Sequence, residues 1–206
     1  MEWSSIVQFL SASILLTLSP GPDILYVLSS AMRRGFAVGF FIALGLCSGL
    51  VVHTALVGLG AAKAIEHNLM WQWIFKIFGV AYMLFLAYKV FRSPAQIELN
   101  VADNPTSRFR KLYAQGFLMN VLNPKVSLFF LAFLPQFINA DGDALLSQAI
   151  VLGLLFFAQA LIVFSLVSYF AGKLAAPLSQ NVKLQEGLKY FQVILFVLLA
   201  FGIVLM

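Results

Sequence analysis

Two short stretches, about a hundred residues apart, set an ionisable side chain directly behind a proline: Ser19-Pro20-Gly21-Pro22-Asp23 and Asn123-Pro124-Lys125. A carboxylate and an ammonium could together hold a zwitterion, exchange a proton, or pair with each other. Ser19 and Asn123 are residue types that cap helix N-termini, and proline is favoured at the first helical position, so each stretch predicts a helix start. The free N–H groups there, with the positive end of the helix dipole, suit an anionic group such as a carboxylate. The plain alternatives are a packed kink at each proline, an Asp23 that satisfies its own helix dipole, and a structural ion pair between Asp23 and Lys125.

The surroundings sharpen the question. The chain has 206 residues, 62% of them hydrophobic and 10% charged, with a mean hydropathy of +0.95. A typical globular domain carries about 25% charged residues, so the solvent for most of this chain is lipid. Six apolar segments can be marked, each near or above the roughly 20 residues a spanning helix needs. They run about Ile6–Met32, Phe36–Ala62, Leu69–Phe91, Leu112–Asn139, Ala144–Gly172 and Gly187–Met206. The two proline stretches interrupt segments 1 and 4. Asp23 stands ten residues before Arg33, about 15 Å of helix, and Lys125 fourteen past Lys111, about 21 Å, so both reach the middle of a core about 30 Å thick. A charge at that depth costs at least about 2.5 kcal/mol and normally has a partner or a task.

Lys and Arg alternate between connections. Arg33-Arg34 joins segments 1 and 2; the polar stretch Arg92 to Lys111 and its flanks hold Lys89, Arg92, Arg108, Arg110 and Lys111; Lys173 and Lys183 join segments 5 and 6, with Lys189 just beyond. The other side has Lys63 and the acidic Asp141-Gly-Asp143. The rich connections belong in the cytoplasm. Segment 1 either spans or folds back at its prolines as a re-entrant pair, which is allowed only where protein or a wet cavity covers it. Glu2, where a basic region should stand, speaks against a cleavable signal peptide.

A shift of 104 positions lays Ser19-Pro20 on Asn123-Pro124 and Gly49 on Gly153. A shift of 113 lays Lys76, Phe78, Val80, Leu86 and Ala87 on Lys189, Phe191, Val193, Leu199 and Ala200. Three segments per half is an odd number, so a repeat must insert with opposite topology, and interrupted helices meeting at the midplane are the layout of many secondary transporters. The expected architecture is an all-α integral membrane protein: one transporter domain over residues 1–206, with repeat one about 1–91, a cytoplasmic loop about 92–111 and repeat two about 112–206.

His53 shares a helix face with Gly45 and Gly49, which should point into the bundle because glycines admit close helix approach. It could relay protons or sit as a hydrogen-bonded core histidine. Gln159, Tyr82 and Asn120 read as helix–helix contacts. Lys76 and Lys89 can snorkel. The spacings Gly35/Gly39 and Gly45/Gly49 fit close packing within one chain or between copies, which leaves a homo-oligomer open. Basic residues scattered between apolar runs do not form a nucleic-acid face, and the lone Cys47 offers neither an intrachain disulfide nor a clustered thiol site. With no phosphate loop, HExxH or nucleophile–base spacing, neither an enzyme nor a bound cofactor or metal is expected.

The stretches LSPGPDILYVLSSAMRRGFAVGFFIALGLCSGLVVH, KIFGVAYMLFLAYKVFRS and GFLMNVLNPKVSLFFLAFLPQF resemble the lysine exporter/homoserine-threonine efflux family (LysE/RhtB type), over nearly the whole chain. The resemblance implies a multi-pass carrier of the bacterial inner membrane that exports amino acids or their derivatives, driven by proton antiport or the membrane potential. Its blocks fall on Pro20, Gly21, Pro22, Asp23, Asn123, Pro124 and Lys125. With Ser19, these are the expected substrate-binding residues, and Asp23 and His53 the candidates for proton coupling. The rivals are a cation or metal exporter of similar architecture and a non-transporting membrane subunit.

Overall fold

The computed structural model describes residues 3–61, 69–95, 109–138 and 145–205, and among them every regular element is helical. The elements are α1 (Trp3–Leu18), α2 (Pro22–Arg34), α3 (Phe36–Leu56, closed by a π-helical turn Val57–Ala61), α4 (Leu69–Arg92), α5 (Phe109–Val121), α6 (Pro124–Ala132, followed by a 3-10 turn Leu134–Phe137), α7 (Leu145–Tyr169), α8 (Ala171–Gln180) and α9 (Val182–Leu205). The connection with Lys63, the Asp141-Gly-Asp143 stretch and most of the expected central loop, Arg108 included, lie outside the described residues.

Three helices, Phe36–Leu59, Leu145–Tyr169 and Val182–Val204, are each long and apolar enough to cross a bilayer. Two helix pairs pass the same test when taken together: Trp3–Leu18 with Pro22–Arg34, bent by 57°, and Phe109–Val121 with Pro124–Phe137, bent by 51°. That gives three to five candidate spans among the described residues where the sequence suggests six; α4, which carries Lys76, Lys89 and Arg92, is not among them. The outer faces suit lipid. Ile194, Leu198, Phe201 and Val204 of α9 all stand exposed, a stripe that water would not tolerate on a monomer.

Other boundaries also moved. Segment 5 ends at Tyr169 rather than Gly172, and the connection to segment 6 is itself the short helix α8, with Pro177 inside it. Segment 6 begins at Val182, so Lys183 and Lys189 sit on α9. Apolar content marks where lipid begins, and a helix continues past that point as long as its backbone bonds close. Gly35, expected as part of a packing stripe, is instead the one-residue turn between α2 and α3. Its φ of 87° is a left-handed value that favours glycine, and nothing would touch a Cβ there.

The Gly45 face meets its expectation. A Cβ on Gly45 would strike the Tyr113 carbonyl, and one on Gly116 would strike the Ile42 carbonyl, so α3 and α5 touch backbone to backbone. Contacts continue in order along the pair: the Phe41 and Phe109 rings stack at 4.4 Å, Gly49 faces Asn120, and His53 lies 5.6 Å from the Phe130 ring. The broken α5–α6 pair thus advances along α3 in one direction. The α1–α2 pair advances along α7 in the same manner. Phe9 meets the Phe156 ring at 6.3 Å, Thr17 bonds Gln159, and Ala31 clusters with Ala171 just beyond the end of α7. The remaining long helices, α4 and α9, pack on each other.

Candidate functional site

The two breaks are built differently. At the second, Asn123 caps α6 as its residue type predicts, its side-chain oxygen accepting the Lys125 N–H at 3.0 Å with Pro124 at the first helical position. At the first, the expected cap slides by two residues. Ser19 still belongs to the end of α1, its N–H bonding Leu15, and α2 starts from Gly21 with Pro22 in its first turn and no side-chain cap. With two prolines available, Pro22 takes the position where a missing N–H does least harm.

These starts face each other. Asn123 Nδ2 donates to Asp23 Oδ2 at 2.7 Å, and Lys125 Nζ donates to the Ser19 carbonyl at 3.0 Å. Two cross-links run from the second break to the first, and the carboxylate and ammonium weighed as an ion pair attract each other across the same cavity. Lys125 satisfies a carbonyl that the Pro20–Pro22 interruption leaves without a helical partner. The hydrogen bond to Asp23 comes from an amide rather than from the ammonium.

Between them lies a cavity of about 30 Å³, lined by Ser19, Gly21, Asp23, Asn123 and Lys125 together with Thr17, Asn120 and apolar residues of α3 and α7. That is room for a water molecule or two. Three buried oxygens at this cavity lack a hydrogen-bond partner among the described residues: Ser19 Oγ, Asp23 Oδ1 and Asn120 Oδ1. An unmet buried polar group costs about 1–3 kcal/mol, which a native fold retains only for a reason. All three can accept a hydrogen bond, and the Ser19 hydroxyl can also donate one, so the cavity wall has polar capacity left for a guest.

Of the residues expected from sequence, Ser19, Gly21, Asp23, Asn123 and Lys125 come together at this cavity. Pro20 and Pro22 do not line it; they face a second cavity on the far side of the chain, and Pro124 serves the start of α6. His53 also lies off the cavity. It is buried, and its Nε2 lies 3.2 Å from the Asn120 carbonyl; because a carbonyl only accepts, that nitrogen carries the proton.

Sequence reasoning underrated two residues. Asn120 and Gln159 read as helix contacts, yet Asn120 lines the cavity and Gln159 Nε2 donates to Thr17 Oγ1 at 3.0 Å, two residues before Ser19. For Asn120 a signal existed, since it stands one helical turn before Asn123. For Gln159 none did, because its partner lies in the other half of the chain.

A family model described as LysE type translocator matches residues 14–206. The chain is 29% identical to the uncharacterized membrane protein YrhP of Bacillus subtilis, covering 97% of each chain. It is 30% identical to the homoserine/homoserine lactone efflux protein of Salmonella typhimurium, over 82% of this chain and 81% of that one. It is 28% identical to the leucine efflux protein of Salmonella choleraesuis, over 65% and 63%. No solved structure matches.

Proposed function

The chain belongs to the LysE type translocator family, and from that premise we propose that it is a secondary exporter of amino acids or amino-acid derivatives across the bacterial inner membrane. The observation that carries this reading is the pair of cross-linked breaks, with an acid and a base around one buried cavity. Names borne by relatives, homoserine/homoserine lactone efflux and leucine efflux, point to the same substrate class. An α-amino acid carries a carboxylate and an ammonium. The Lys125 ammonium and the uncapped N–H groups at the start of α2 receive the carboxylate, those of α6 being taken by Asn123. Asp23, with Ser19 and Asn120 beside it, receives the ammonium or alternates with a proton. His53, tied to the Asn120 carbonyl, is the further candidate for proton coupling.

Two observations support two inverted repeats and a segment 1 that spans. The broken pair of each half advances in one direction along the middle helix of the other half: α1–α2 along α7, α5–α6 along α3. A re-entrant pair would turn back instead. In this arrangement α4 is the sixth span, its three basic residues snorkelling or lying inside, and the ends with Arg33, Arg92 and Lys183 face the cytoplasm.

Cation export is the rival that a specific observation favours, because three unpartnered oxygens surround a cavity of cation size. The Lys125 ammonium on the same cavity opposes a second positive charge there. The test is counterflow of an amino-acid panel in liposomes under an imposed pH gradient. Wild-type protein is expected to accumulate at least one member of the panel, and Asp23→Asn and Lys125→Met to abolish that while still inserting. Accumulation of none of them would sink the reading, and full export by either variant would move the site elsewhere.

A further inference from the structure

The chain at Pro20-Gly21-Pro22 has a cavity on each side. Opposite the small buried one lies a space of about 290 Å³, bounded by this stretch, by the end of α4 at Val90, Ser93 and Pro94, and by the start of α9 at Gln185, Lys189 and Gln192. Its volume is close to the roughly 300 Å³ at which small-molecule sites begin. Gly21 lines both cavities, so a single residue without a side chain is the partition between them.

The larger cavity carries polar groups that nothing in the fold requires. Gln192 is 8% exposed and has no hydrogen-bond partner among the described residues. Lys189, one helical turn away, is half-buried, its Nζ 5.7 Å from the Phe91 ring and paired with no carboxylate among the described residues. Both side chains line the cavity with hydrogen-bonding capacity unused by the described residues, and so are open to a ligand.

On the other side a cavity of the same volume, about 290 Å³, is bounded by Leu50, Thr54, Leu146, Ile150 and Phe157, and Leu50 also borders the buried site. Its lining is almost wholly apolar and offers no charged group to a zwitterion. Phe156, which lines the small cavity, packs at 5.6 Å on Phe129 and 6.3 Å on Phe9; Phe9 continues to Phe137 at 5.5 Å, and Phe129 to Phe133 at 4.8 Å. These interdigitated rings fill the interior beside the buried site, around the middle of α7. At the end where α4 finishes and α9 begins, rich in Lys and Arg, Gly21 borders both cavities, and the outer one carries the polar side chains Lys189 and Gln192.

We infer that the 290 Å³ cavity is a loading vestibule, in which the exported molecule is held by its carboxylate on Lys189 and by a hydrogen bond to Gln192 before it crosses the Gly21 partition to Asp23 and Lys125. The inference rests on the amino-acid export reading and adds to it a second, earlier subsite. It takes an anionic head group of modest size, as an α-amino acid presents, and excludes bulky substrates by volume. The preference for anions is set before the midplane site is reached.

The test separates the two subsites. L-homoserine and L-leucine are the probes, in counterflow and as protectants. Gln192→Cys and Leu188→Cys, each in a Cys47→Ser background, are expected to react with a membrane-impermeant thiol reagent from the cytoplasmic face of inverted vesicles but not from the other face. Whichever probe the wild type transports should slow that reaction. Lys189→Gln and Gln192→Leu should raise the apparent KM about tenfold, the loss of one hydrogen bond to a charged group, and lower the maximal rate less. Wild-type transport together with unprotected or unreactive cysteines and unchanged KM in both variants would overturn the vestibule and leave the export reading standing. A wild type that transports no amino acid would overturn both.

Discussion

At the second break Asn123 caps α6, its carbonyl accepts the Ser127 hydroxyl at 3.0 Å, and its amide still reaches across to Asp23. At the first break Gly21 has no side chain to cap α2, Ser19 Oγ and Asp23 Oδ1 go unbonded, and a cavity lies on either side. The same device, a proline at the start of a half-helix, is therefore locked in one half and loose in the other. The locked break acts as the frame from which Lys125 and Asn123 reach out. The loose one has few satisfied bonds, and an element of that kind is the one expected to yield first.

The largest effect expected from this contrast belongs to Asn123→Ala. It removes a cap worth about 1 kcal/mol and strands a carboxylate oxygen at about 1–3 kcal/mol more. Thermal unfolding in detergent should shift clearly downward and export should be lost with it. Ser19→Ala, on the loose side, removes an atom that has no partner and should leave the melting point within about 0.5 kcal/mol of wild type. Equal destabilisation by both would erase the distinction between the locked break and the loose one.

Next comes Gly21. Its φ of −167° is extended backbone that any residue adopts, and an added Cβ would stand 3.5 Å from Lys125 Nζ, an ordinary contact. Gly21→Ala should therefore insert and export nearly as wild type does. Gly21→Leu thickens the partition and presses on the Lys125 side chain; counterflow should slow about tenfold, on the order of 1.4 kcal/mol, with stability little changed. Wild-type rates in Gly21→Leu would mean that substrate does not cross there.

Much of this contrast was legible in the sequence, and the part that was not has a physical reason. The positions of both breaks, the capping role of Asn123 and the inward face of Gly45, Gly49 and His53 follow from proline and glycine, whose backbone constraints act locally. Opposite charges at matching depth also brought Asp23 and Lys125 to one place. Their bonding partners could not be read, because Asn123 to Asp23 and Lys125 to Ser19 span a hundred residues or more and depend on how the halves dock. The Ser19 cap was misplaced for a different reason: two prolines compete for one helix start, and only packing decides between them.

The smallest expected effect tests the outer supports of the two breaks. His53 on α3 bonds the Asn120 carbonyl just before the second break, and Gln159 on α7 bonds the Thr17 hydroxyl just before the first. Each break is thus tied by one polar side chain to a long helix, the second break to α3 and the first to α7. The Gln159 tie is the weaker. Thr17 already donates to the Ser13 carbonyl at 2.8 Å, and Gln159 Oε1 is itself without a partner, so Gln159→Leu removes an unmet oxygen along with one hydrogen bond. The gain and the loss are each about 1 kcal/mol and oppose each other. Melting should change by less than about 1 kcal/mol and counterflow by no more than about threefold. A collapse of export or stability in Gln159→Leu, larger than that in Asn123→Ala, would mean that the first break is the clamped one and that the locked and loose breaks had been assigned the wrong way round.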